Sequence, residues 1–155
     1  MKKIFISILF LFSTIQATDL KKCDKCSINK EYIKCSYYVE IKGDLSKQDS
    51  CLIFAQSMFE GNSIGRASWY YIIAGDLDKA LEVGKQALKI KEYFVAEQIA
   101  EIFILKNDLE NAKKYANLFK KRVPKGSIFI DKHLEILERI YKDKFDIELA
   151  KEILL

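Results

Sequence analysis

With 155 residues, 50% of them hydrophobic and 31% charged, the chain has the length and composition of one folded domain with its own apolar core, not of a disordered or collagen-like polymer. Its 26 basic and 22 acidic residues give a formal net charge of +4 but are interspersed. There is therefore no electrostatic footprint for nucleic acid, which excludes that class of partner.

In chain order, Lys2-Lys3, the apolar run Ile4 to Phe12 and the stretch Ser13 to Ala17 read as a secretory leader over residues 1–17, removed before Thr18. The run is shorter than the ~20 apolar residues of a membrane-spanning helix. The expected mature chain is Thr18–Leu155, with 24 basic against 22 acidic residues, no transmembrane segment and a periplasmic or secreted location. Residues 18–28 form a short segment that holds Cys23 and Cys26.

Beyond it, apolar residues recur at intervals of three and four, predicting helices near 29–42, 46–59, 63–74, 77–91, 93–106, 109–122, 127–143 and 146–154. No strand pattern stands out. The tripeptide Gly43-Asp44-Leu45 returns 32 residues later as Gly75-Asp76-Leu77, and after another 32 as Asn107-Asp108-Leu109. Glycine, or asparagine in its place, supplies the left-handed residue that ends one helix, and the aspartate caps the next.

A fixed period of this size signals stacked units that bury their apolar faces against each other. Around each turn the side chains follow one rhythm. Small Ser36, Ser68 and Ala100 stand seven residues before it, and bulky Val39, Tyr71 and Phe103 four before. Five after the turn come Ala80 and Ala112, with Gln48 as the exception, and twelve after come Ala55, Ala87 and Phe119. Small residues let two helix backbones approach, and bulky ones fill the space beside the crossing. The single proline, Pro124, stands where the third unit should close.

On these residues the chain resembles the tetratricopeptide repeat family over about 29–124, and less closely the Sel1-like repeats. The resemblance implies an all-α fold of tandem antiparallel helical hairpins stacked as a short solenoid. Its units are about 29–60, 61–92 and 93–124, with a divergent cap at 125–155. It further implies binding of a protein or peptide partner, for an exported chain a partner in the cell envelope. The first helix of each hairpin would line a concave groove, where the residues beside the small ones would point: Tyr37, Trp69 and Glu101, with Ile41, Ile73 and Leu105 one turn on. A homo-oligomer that fills its own groove is an alternative. The Sel1-like resemblance implies another, a secreted enzyme with penicillin-binding or weak β-lactamase activity.

Cys23, Cys26, Cys35 and Cys51 favour disulfides in an exported chain. Cys35 and Cys51 lie eight residues to either side of Gly43, so antiparallel helices folding there bring them face to face, and Cys23 then pairs with Cys26. A redox Cys-x-x-Cys pair and a four-cysteine zinc site are the competing readings, and neither finds its usual context. No cofactor and no metal are expected, since His133 is the only histidine and, lying among Leu134, Ile136 and Leu137 on a predicted helix, reads as a partly buried structural one. Ser27 and Lys30 match the Ser-x-x-Lys pattern by spacing alone, and Ser27 reads better as a helix-start residue. The glycines of Gly61 to Arg66 lack the ending of a phosphate loop and read as a connection between hairpins. Lys120-Lys121-Arg122 reads as the cationic last turn of a helix.

Overall fold

The computed structural model describes residues 25–123 and 129–155. The expected leader, Cys23 with its bridge to Cys26, and Pro124 lie outside the described residues. All regular structure among the described residues is helical: α1 (Lys25–Lys34), continued by a π-helical stretch (Cys35–Ile41), α2 (Gln48–Glu60), α3 (Ile64–Ile73), α4 (Leu77–Lys89), α5 (Val95–Leu105), α6 (Leu109–Arg122), α7 (Ile130–Tyr141) and α8 (Ile147–Leu154). Short 3-10 turns precede α2 and α8. None of these helices is long and apolar enough to cross a membrane.

Consecutive helices from α1 to α6 pack against each other as three hairpins. The turns form as their residues dictate. Gly43, Gly75 and Asn107 have φ of 67°, 83° and 57°, and the amide that follows each bonds back to a carbonyl near the helix end. Asp76 and Asp108 then accept the backbone N–H three residues on, at 3.0 and 3.1 Å, and Asp146 does the same for α8 at 3.0 Å. At the crossings Ala55, Ala80, Ala87, Ala100 and Ala112 are all fully buried. Ser68 is buried too, its hydroxyl donating to the Ala80 carbonyl at 3.1 Å. Gln48, the odd residue in a small place, donates its side-chain amide to the Ile73 carbonyl at 3.0 Å and so satisfies an orphan acceptor at the end of α3.

The first hairpin departs from its repeats. In the second and third, the turn aspartate amide bonds to the carbonyl five residues back (Asp76 to Tyr71, Asp108 to Phe103), but in the first Asp44 reaches six back, to Tyr38. The π-helical winding of Cys35–Ile41 makes this wider turn. The Cys35–Cys51 bridge ties this stretch to α2, with Cα atoms 4.8 Å apart and both residues buried.

The last hairpin is not a fourth copy. α8 packs against α5, α6 and α7 and closes the end of the stack. α7 packs against the π-helical stretch and reaches all three first helices. Arg139 donates to the Glu40 carbonyl and its stem lies over Gly43, Tyr141 donates to the Ile72 carbonyl at 2.6 Å, and His133 meets both α3 and α5. The concave side is thus partly occupied by the chain's own helix.

Candidate functional site

α7 brings its histidine against the middle of the stack. The His133 ring lies on the Trp69 indole, with centroids 4.0 Å apart and planes at 21°. The other end of the indole donates Nε1–H to Glu40 Oε1 at 3.1 Å, and Ser36 donates to the second oxygen of Glu40 at 2.8 Å. On its other side, His133 Nδ1 sits 2.9 Å from Glu97 Oε1. A polar chain of Ser36, Glu40, Trp69, His133 and Glu97 therefore crosses the concave face from the first hairpin to the third.

Glu97 is 2% exposed, and Glu101, one turn further along α5, is fully buried. Helix α5 is buried at nearly every position because α3, α4, α6 and α8 pack against it and α7 reaches it through His133. A helix surrounded in this way is expected to be apolar all round, and two acids on one of its faces run against that expectation. Both carboxylate oxygens of Glu101 lack a hydrogen-bond partner, as does the buried side-chain oxygen of Gln98. Burial holds the Glu101 carboxyl well above the ordinary carboxylate range, and the neighbouring Glu97 charge adds to the effect. Donor atoms of Glu97, Glu101 and His133 all lie within 4.8 Å of one another.

These groups lie at or beneath a cavity of about 970 Å³. Its walls come from α1 and the π-helical stretch (Tyr32, Glu40), α3 (Arg66) and α7 (Lys132), with Phe94 at the start of α5 and Phe129 at the start of α7. Trp69, Glu97, Gln98 and His133 also reach it. Tyr32, Phe94 and Phe129 are 43%, 41% and 54% exposed, so aromatic surface stands open at its mouth.

The expected groove residues divide. Trp69 and Glu101 do face the concave side, but α7 covers them, leaving Trp69 only 7% exposed. Ile73 belongs to the core, and half-buried Leu105 packs against that core. Tyr37 and Ile41 are exposed but do not line the cavity. The wider winding of the π-helical stretch turns Tyr37 aside, against Tyr38 and under Lys42, and Ser36 and Glu40 take the concave positions instead. Ser27 and Lys30 are likewise absent from the cavity wall. Gly61 to Ser63 form the connection between hairpins, and the Gly65 amide at the start of α3 is held by the Glu92 carboxylate at 2.8 Å.

The sequence reading did not find the cluster of Glu97, Glu101 and His133. Its sequence signal is the pair of acids four residues apart in a helix whose other residues, Gln98 excepted, are apolar. The chain matches no family model, no curated protein and no solved structure.

Proposed function

We propose that the chain is an exported helical-repeat module, built in the manner of tetratricopeptide repeats, that binds a protein or peptide partner in the cell envelope. The observation that carries this reading is the cavity on the concave side, with Tyr32, Phe94 and Phe129 exposed at its mouth and Arg66 and Lys132 beside them. Large aromatics held on rigid helices lose little entropy on binding and supply much of the energy of an interface. The buried Cys35–Cys51 bridge supports an oxidising compartment, where such a bond persists.

The test is selection of peptides from a random library on the purified full chain, followed by affinity measurement with variants. Phe94→Ala and Tyr32→Ala should each weaken a selected peptide at least about fivefold, the equivalent of roughly 1 kcal/mol, while leaving the melting temperature close to that of the parent. Tyr37→Ala, outside the cavity, should leave affinity unchanged. Failure to select any peptide, or peptides indifferent to both cavity variants, would overturn the reading.

A further inference from the structure

Two carboxylates and an imidazole converge where Glu97 and His133 line the cavity, and the fully buried carboxylate of Glu101 beside them has nothing to bond to. Glu97 and Glu101 come from successive turns of α5, and His133 reaches them from α7. A fully buried carboxyl with both oxygens unpartnered is rare, because a buried polar group normally finds a donor. Here the nearest groups are a second acid and a histidine, so a proton or a cation is what the pair lacks. Gln98, the next residue on α5, offers one more buried, unpartnered side-chain oxygen to the same cavity.

We propose that Glu97, Glu101 and His133 bind one divalent metal ion of the zinc and manganese class. The donor set decides the class: one imidazole nitrogen with two carboxylates suits borderline ions, whereas calcium and magnesium prefer oxygen alone. A lone histidine cannot hold such an ion, but two buried carboxylates on successive turns of one helix supply the matching partners. Bonds of about 2.0–2.2 Å place donors on one ion roughly 3–3.5 Å apart. His133 Nδ1 and Glu97 Oε1 are already at 2.9 Å, and all three donors are within 4.8 Å, so small side-chain rotations close the set. The Trp69 ring fixes the plane of the imidazole from one side, and Glu40 fixes the Trp69 ring. Three protein ligands leave positions on the ion for water or for a donor atom from whatever fills the cavity.

Trp69 is the chain's only tryptophan and lies against His133, so it reports on the site directly. The metal-stripped full chain is titrated with Zn²⁺ and separately with Mn²⁺, following heat and Trp69 emission. Co²⁺ absorption serves as a check on nitrogen and oxygen coordination. The expected result is one ion per chain, a saturable change in Trp69 emission at that stoichiometry, and affinity lowered at least about tenfold by Glu101→Gln and by His133→Gln. Glu135→Gln, on the exposed side of α7, should bind as the parent does. Mn²⁺ separates this site from any thiolate pair, which favours softer ions. Absence of one-to-one binding by the parent chain overturns the proposal without reference to any variant. So does binding that both variants, shown folded by circular dichroism, leave unchanged. The outcome is independent of peptide selection, so either reading can fail alone.

Discussion

Trp69 shows how a residue can be placed on the right face and still do a different job. Its position beside a small crossing residue turns it toward the concave side, as Glu101 is turned from its place beside Ala100. What the repeat pattern does not contain is the helix that then covers both. Trp69 is 7% exposed and held between Glu40 and His133. Trp69→Ala should therefore cost about 3–5 kcal/mol in denaturant unfolding followed by circular dichroism. A loss well under 1 kcal/mol would mean that the indole is an open anchor after all. Glu101 should behave in the opposite sense. In the metal-stripped chain its unpartnered carboxyl opposes folding, and Glu101→Met, of similar length and apolar, should raise stability by roughly 1–3 kcal/mol. Lower stability for that variant would show that the carboxyl has a partner the structure does not.

Among the elements, the hairpin turns were the most legible part of the sequence. Each needs one left-handed residue and one acceptor side chain, and Gly75-Asp76 and Asn107-Asp108 are local solutions that no distant contact overrides. The cap of α6 carries a pH dependence. Asn111 donates to Asp108 from its side chain at 2.8 Å and from its backbone at 3.1 Å, and these bonds hold the carboxyl below the ordinary aspartate value of 3.8. A carboxyl whose folded value is depressed contributes stability above its unfolded value and loses it as pH falls through the folded one. Melting should thus fall more steeply below about pH 4 in the parent than in Asp108→Asn, which keeps an acceptor oxygen without the ionisation. Parallel curves would mean that the cap is not the titrating group. The first hairpin was the least legible element. The wider winding of the Cys35–Ile41 stretch changes which side chains face inward, and the apolar spacing there fits an α-helix equally well. Tyr37 stands outside the cavity for that reason, whereas Cys35 and Cys51, eight residues to either side of the turn, meet as a bridge.

At the scale of the whole molecule, α7 changes what kind of repeat protein this is. An open solenoid has contacts only between neighbouring units, so its stability is a sum of local terms and its ends can open without its middle. Here α7 bonds to the first hairpin through Arg139 and Glu40, to the second through Tyr141 and Ile72, and to the third through His133 and Glu97. The repeat pattern leaves 125–155 as a divergent cap, but nothing in it implies that the first helix of that cap crosses the concave face. Such long-range placement depends on which surfaces remain unburied once three hairpins have formed, and no local pattern encodes that. The consequence is cooperative closure. Leu137, fully buried on α7, should cost about 2–5 kcal/mol when changed to alanine. Hydrogen exchange should quicken in α7 and, with it, in α3 and the π-helical stretch, because both ends lose the same clasp. Faster exchange confined to α7 and α8 would instead make that hairpin a terminal appendage of an open stack, and the concave face would be free whenever it frays.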